Sequence, residues 1–230
     1  MFTKKELITK EIDFSYFKES LNSEKKYLEQ YFEINSEKIS ETNNQFSDKL
    51  LEQIEENPSL ESKIIAEYES SFRAINSYYF HSSIALIHTY FESYISQLCN
   101  IITDHTLSSF SLQLLKGNNL IKTALDYLKL TTGLNDEIIN IHKPRLGKFQ
   151  NLRNKIIHEN STYKDDTDKA KLENGFSGKI EFDETNNKFF LKDDELAIEY
   201  LEKSNIFLNE IIIILSEKEF VIENTTPNTV

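Results

Sequence analysis

Arg153, Asn154 and His158 make up a short stretch whose residue types and spacing could handle a phosphate and a proton together. Histidine has an ordinary pKa of about 6.5, which makes its imidazole the natural acid or base near neutral pH. Arginine stays charged throughout that range and offers a planar fork of donors suited to phosphate oxygens. Asn154 stands four residues before His158, so a helix puts the two on one face. Arg153 stands five before it, roughly 140° round an ideal helix of 3.6 residues per turn. Those two meet only if the arginine reaches sideways or the helix loosens at its end.

The surroundings of this stretch are unusual for the chain. The protein carries 38 Asp and Glu against 26 Lys and Arg, a net charge of −12. From Ile138 to Ile157, however, there is no acidic residue, and Lys143, Arg145, Lys148, Arg153 and Lys155 all fall in that window. A basic island in an acidic protein can bind a phosphate, or it can be a solvated helix face that balances acidic neighbours. The sequence leaves both readings open. Overall acidity does exclude non-specific gathering of nucleic acid over the whole surface, so any nucleic-acid site has to be a local patch.

Other groups with chemical potential are more isolated. Glu92 lies in Tyr90–Tyr94, inside the most apolar stretch of the chain. A carboxylate on a buried face needs a partner, whereas one at a boundary simply faces water. His81 and His88 are seven residues apart without an evident third ligand, which fits core or interface histidines better than metal ligands. Cys99 is the sole cysteine, so an intrachain disulfide and a cysteine-rich metal site are both excluded. No glycine-rich phosphate loop, dinucleotide fingerprint or serine-hydrolase elbow is present. The reading therefore calls for no metal and no cofactor.

The elements that must position Arg153 and His158 are helices. Only 5 Gly and 3 Pro interrupt 230 residues, and the apolar fraction of 39% is enough for a core. Phe14, Leu21 and Leu28 recur at sevens, as do Phe32, Ile39 and Phe46, which predicts a long helix or helical hairpin over Ile12–Glu56 with a narrow apolar stripe. Asn57 can cap the next helix and Pro58 suits its first turn. That helix, Leu60 to about Ile102, carries Ile84, Ile87, Phe91, Ile95, Leu98 and Ile102 at steps of three and four and should be central to the core.

A turn at Leu112–Leu115, a helix from Leu120 closed by Gly133, and a brief helix from Asn135 to Ile141 follow. Pro144 and Gly147 punctuate before a helix over Lys148–His158. Ser161–Asn174 has little periodicity and reads as a loop. Lys179–Phe182 and Lys188–Leu191 read as a hairpin, since asparagine tolerates the left-handed backbone of its turn. A last helix starts after Asp193 or Asp194. The expected division is a helical arm over 1–57, a domain over 58–220 with a hairpin near 179–191, and a flexible tail over 221–230. The N-terminus lacks an apolar signal core, and the longest aliphatic run, Ile211–Leu215, is far too short to span a bilayer. A cytoplasmic protein without a membrane partner is expected.

The segment Leu152-Arg153-Asn154-Lys155-Ile156-Ile157-His158 resembles the Arg, four residues, His signature of the HEPN family of helical domains. A polar residue often follows the arginine in that motif, and Asn154 fits. The context agrees: the motif ends a predicted helix, a long apolar helix precedes it and an amphipathic helix follows. The resemblance covers about Leu60 to Lys218, with the arm and the hairpin as additions. It implies an all-α fold, a HEPN-like antiparallel helical bundle. It also implies a metal-independent endoribonuclease, of a family with many toxins and antiviral effectors, that dimerises so that two motifs face one cleft. The partners implied are RNA, a second copy of the chain, and an antitoxin or other regulator.

On this resemblance Arg153 meets the phosphate, His158 moves protons, Asn154 supports them and Glu92 orients one or the other. Lys143, Arg145, Lys148 and Lys155 hold the RNA backbone. Some family members carry a tyrosine two residues after the histidine, where a partner nucleotidyltransferase modifies them. Asn160 stands there, and Tyr163 is out of register. The competing class is a non-catalytic dimerisation or adaptor module that binds a protein or a nucleotide.

Overall fold

Long stretches free of breakers stay helical, and six α-helices account for most of the described residues. The computed structural model of the protein describes residues 7–106, 110–115, 117 and 119–223. A strand β1 (Leu7–Glu11) leads into α1 (Ser15–Glu56), and α2 (Glu61–His105), α3 (Leu120–Thr132) and α4 (Asp136–His158) follow. Then come α5 (Asp166–Gly175), a hairpin of β2 (Ile180–Asp183) and β3 (Lys188–Leu191), α6 (Glu195–Ser216) and β4 (Glu219–Glu223). The two strand pairs are small and antiparallel, β1 with β4 and β2 with β3. No helix among the described residues is long and apolar enough to cross a membrane.

The 42-residue α1 is a single helix rather than a hairpin. Its start is set by Asp13, whose Oδ1 accepts a bond from the Ser15 amide at 2.8 Å. Phe14, Phe17, Leu21, Leu28 and Phe32 are buried, and no α1 side chain beyond Phe32 is. The far half is held more lightly. Phe46 meets Tyr68 edge-on at 6.1 Å, and Ser47 Oγ lies 3.0 Å from the Tyr68 hydroxyl. At the break, Pro58 opens a one-turn 3₁₀ segment, but the Asn57 side chain makes no capping bond. The cap role expected of it goes instead to its carbonyl, which accepts from Leu60 N at 3.0 Å.

The residues group into two units, and each draws on both sides of Asn57. The first contains 1–24, 89–144 and 203–230. Its core is Phe91, Ile95, Leu98, Ile102, Ala124, Leu128, Phe207, Leu208, Ile211 and Leu215. The Phe91 and Phe207 rings meet edge to face at 6.1 Å. Gly133 ends α3 in the left-handed conformation, φ 63, that glycine adopts without strain. Lys218 Nζ donates to the Thr132 and Gly133 carbonyls at 2.6 and 3.0 Å and satisfies groups that helix α3 leaves open. Residues 219–223, partly assigned to a flexible tail by sequence, instead pair with β1 from Leu7↔Glu223 to Glu11↔Glu219. The rest of the expected tail, 224–230, lies outside the described residues.

The second unit contains 25–88 and 145–202. Phe32, Ile84, Ile87, Phe149, Leu152, Phe189, Leu196, Tyr200 and Leu201 are buried in it. Phe149 stacks on Tyr200 with ring centroids 4.6 Å apart and planes within 7°. The Arg145 guanidinium lies over the Phe149 ring at 4.7 Å and over the Phe176 ring at 5.1 Å. The Tyr200 hydroxyl lies 2.7 Å from His88 Nδ1, so the tyrosine's polar end is satisfied where its ring is buried.

Two sequence expectations fail here. The weak periodicity of Ser161–Asn174 predicts a loop, yet 166–175 is α5. Asp165 Oδ1 caps it by accepting from Asp168 N at 2.8 Å, and acidic residues fill its first turn. Leu172 is its one buried side chain, which is why apolar periodicity does not mark it. The expected break at Pro144 and Gly147 is also absent, because α4 runs unbroken from Asp136 to His158 with Pro144 inside it. Proline there removes one amide donor from the helical ladder but does not end the helix.

The stack on α4 generates the first prediction. Phe149→Ala should lower stability by about 3–5 kcal/mol, the usual result of emptying a buried aromatic site. Urea unfolding followed by circular dichroism measures it, and a loss under about 1 kcal/mol would mean the stack does not hold α4.

Candidate active site

Helix α4 carries every basic residue of the acid-free window, so its ends decide where they point. At its start Asn135 Oδ1 accepts from Glu137 N at 2.9 Å. Leu146, Phe149 and Leu152 recur at threes and are buried, anchoring one face. The helix stops at His158 because two residues in a row take the left-handed conformation, Asn160 at φ 51 and Ser161 at φ 59. That reversal lets the Ser161 amide donate back to the Lys155 carbonyl at 2.9 Å, and the Glu159 amide donates to the same oxygen at 3.2 Å.

Ser161 is the peg of this turn. Its carbonyl accepts from Phe189 N at 2.9 Å, which ties the end of α4 to β3. The Tyr163 amide donates to the Asn187 carbonyl at 2.9 Å on the same edge. Ser161 Oγ lies 3.1 Å from His81 Nδ1, and Ser77 Oγ lies 3.1 Å from that same nitrogen. His81 is only 9% exposed, and its ring meets Phe189 edge-on at 5.8 Å. Its Nε2 is buried without a hydrogen-bond partner. Burial pushes the His81 pKa down from 6.5 to about 4, so the ring is neutral at physiological pH.

Arg153 and His158 do meet. Arg153 Nη1 donates to His158 Nε2 at 3.3 Å and to Asn154 Oδ1 at 3.2 Å. The bond to Nε2 requires a lone pair there, so the ring in this arrangement carries its proton on Nδ1. The angular offset of five helical positions is overcome by placing His158 on the last helical residue while the long arginine side chain reaches along the helix. His158 is exposed and Arg153 is half-buried. Arg153 Nε is buried and has no partner, and no carboxylate of its unit pairs with the guanidinium.

The remaining basic side chains divide into two kinds. Arg145 is held by a two-pronged bond to Glu199, with Nε and Nη2 each 2.6 Å from a carboxylate oxygen, while Nη1 donates to the Gly175 carbonyl at 2.7 Å. Lys155 Nζ donates to Asp168 at 2.5 Å and Glu159 at 3.2 Å. Burial disfavours the Lys155 ammonium, but those two carboxylates outweigh it and hold its pKa above the usual lysine value. Burial likewise disfavours the Asp168 carboxylate, and Lys155 with the Lys164 amide outweighs it and keeps its pKa low. Lys143 and Lys148 are exposed.

Glu92 belongs to the first unit and is half-buried on α2. Cys99 is buried with its thiol pushed up to about 12 by desolvation, so it is no nucleophile at neutral pH. Tyr163, the out-of-register tyrosine, is buried. Among the described residues no group of three or more His, Cys, Asp or Glu is placed to hold a metal ion.

Sequence reasoning missed Ser161, His81 and Asp168 as the groups that set this geometry. A signal for the first was present: asparagine at 160 tolerates the left-handed backbone that ends a helix. No protein-family model, no curated protein and no solved structure matches the chain.

The buried imidazole generates a prediction about pH. The His81 pKa in the fold is depressed, so between 6.5 and about 4 the unfolded chain binds a proton that the folded one refuses. Stabilisation by the neutral ring is complete above about 6.5 and falls by up to about 3 kcal/mol as pH drops towards 4. His81→Gln should flatten that part of the profile relative to the parent. Unfolding free energies at several pH values check it, and parallel profiles for the two proteins would remove His81 as the cause.

Proposed function

We propose that the chain is a metal-independent endoribonuclease of the HEPN type, with a HEPN-like helical bundle as its fold and a toxin or antiviral defence effector as its biological class. One observation carries the reading: Arg153 Nη1 and His158 Nε2 are 3.3 Å apart, on a guanidinium that no carboxylate of its unit neutralises. A half-buried arginine with an orphaned Nε is costly unless something is gained from it. A phosphodiester would supply both the counter-charge and the acceptors.

RNA brings its own nucleophile. The 2′-oxygen attacks the adjacent phosphorus while its proton passes to a base, and the P–O5′ bond breaks while the leaving oxygen takes a proton from an acid. The products are a 2′,3′-cyclic phosphate and a 5′-hydroxyl. Arg153 holds the oxygens on which charge grows. When it turns to the phosphate it leaves His158 Nε2 free to move protons, and Asn154 keeps the guanidinium in line. One histidine per protomer covers one of the two proton transfers. A homodimer with the active site at its interface supplies the other.

Exposed apolar groups on one face of α2 suit such an interface. Ile75, Tyr78 and Leu86 are 48%, 76% and 39% exposed, within about 80° of one another around an ideal helix. Ile157, beside the catalytic histidine, is 49% exposed. Glu92 as an orienting group, an antitoxin or regulatory partner and a cytoplasmic location belong to the same reading and come from the family resemblance.

Arg153→Ala and His158→Ala should each cut RNA cleavage in EDTA by at least ~10³-fold, the scale of losing a group that acts in the transition state. Circular dichroism and sedimentation should show fold and assembly unchanged. Parent-like cleavage by both variants, or cleavage by the parent only after a metal is added, would defeat the proposal. An intact, assembled protein that cuts nothing would favour the adaptor module.

A further inference from the structure

Beside the Arg153–His158 pair, α4 and α5 enclose a cleft of ≈ 600 Å³. Its α4 wall is Lys148, Asn151, Leu152 and Lys155, positions three and four apart that share one helix face, with Asn154 at the edge. Its α5 wall ends in Lys171, Leu172, Asn174, Gly175 and Phe176. Leu152, Leu172 and Phe176 are buried and make the floor apolar. The volume is in the ordinary range for a small-molecule site.

The charges around this cleft are sorted. Lys155 is clamped by Asp168 and Glu159 and closes the wall, and with Lys164, which also reaches Glu159, it matches the two acidic groups there. Nearby cations are tied as well, Arg145 to Glu199 and Lys169 to Glu184. Lys148 and Lys171 are exposed and have no ion-pair partner among the described residues. The mouth of the cleft thus offers two free ammonium groups over an apolar floor, with three carboxamides from Asn151, Asn154 and Asn174 around it. Ammonium groups meet phosphate as point charges. Carboxamides carry both donor and acceptor and match the edges of an unpaired base.

We propose that this cleft binds one nucleotide, with its phosphate between Lys148 and Lys171 and its base over the apolar floor. The proposal rests on the ribonuclease reading in one respect. Asn154 lines the cleft and accepts from Arg153, so a nucleotide there lies one side chain from the reacting phosphate, flanking it in the RNA chain. The same chemistry is offered by a free mononucleotide, and the test separates the two sources.

The probes are a single-stranded oligoribonucleotide made uncleavable by 2′-O-methylation, and the four nucleoside 5′-monophosphates, with inorganic phosphate as control. They are titrated into the full chain, its Lys148→Ala/Lys171→Ala variant and the single charge reversal Lys148→Glu. The double variant should bind the oligonucleotide roughly tenfold or more weakly at low salt, with a salt slope flatter by about 0.7 for each phosphate it no longer neutralises. On cleavable RNA it should raise KM while leaving kcat within about twofold, the signature of weakened binding away from the reacting atoms. His158→Ala should stop cleavage and keep the parent's oligonucleotide affinity.

Unchanged affinity and salt slope in both lysine variants overturn the cleft while leaving a cleaving parent as a ribonuclease. Lysine-dependent binding of monophosphates, without binding or cleavage of RNA, supports the cleft with a free nucleotide as occupant and defeats the ribonuclease reading. Binding of no probe overturns the cleft outright.

Discussion

Where α4 stops determines what its last turn can do, and a buried serine sets the stopping point. Asn160 and Ser161 must both hold left-handed backbone, a conformation that costs a non-glycine residue on the order of 1–2 kcal/mol. The structure recovers that cost through three bonds at Ser161: its amide to Lys155, its carbonyl to Phe189 and its hydroxyl to His81. Burial keeps His81 neutral, and its Nε2 has no acceptor that would stabilise a second proton on the ring. A long helix, a hairpin and the end of α4 are therefore joined at one unprotonated ring. The position of His158 follows from that junction, three residues upstream of the peg.

Electrostatics complete the arrangement by subtraction. The acid-free window places five cations on α4, yet two of them do not remain available as charges. Arg145 is matched by Glu199 and stacked between aromatic rings, and Lys155 is matched by Asp168 and Glu159. In a chain of net charge −12 this is the expected fate of a partly buried cation. What distinguishes Arg153 is that its bonds go to neutral acceptors, an amide oxygen and an imidazole nitrogen. The island is thus neither a uniform basic patch nor a simple solvated face: Arg145 and Lys155 are matched by carboxylates, Lys143 and Lys148 stay exposed, and an unmatched guanidinium stands near the helix end.

The legible part of this organisation was the part governed by periodicity. Ile84 through Ile102 on α2, and Leu196 through Leu215 on α6, repeat at three and four because one face is buried along its whole length. The Asn-rich turn and β-prone flanks marked the hairpin for the same local reason, and its strands, Ile180–Asp183 and Lys188–Leu191, lie within a residue of the expected bounds. Helix α5 escaped notice because a single leucine holds it. The pairing of β1 with β4 escaped because its partners lie at opposite ends of the sequence. In the site, the types and spacing of Arg153, Asn154 and His158 were visible, but the fates of Arg145 and Lys155 were not. Their partners, Glu199 and Asp168, stand 54 and 13 residues away, and no local pattern announces them.

The unmatched arginine also separates stability from the proposed function in this fold. Arg145 and Lys155, the other half-buried Arg and Lys side chains of α4, have each found carboxylate partners, which is what folding alone would favour. Arg153 is the exception: its Nε lies buried without an acceptor, although nearby carboxylates such as Glu159 and Asp168 are directed to lysines instead. A sequence shaped only for stability would place an aliphatic residue there, since removing both the charge and its desolvation is commonly neutral or favourable. Keeping a guanidinium half-buried, in reach of an imidazole and clear of acids in its unit, makes sense where a transient anion is to be met. What marks the proposed site is therefore less a basic motif than the one Arg or Lys of that helix's half-buried face that the fold declines to neutralise.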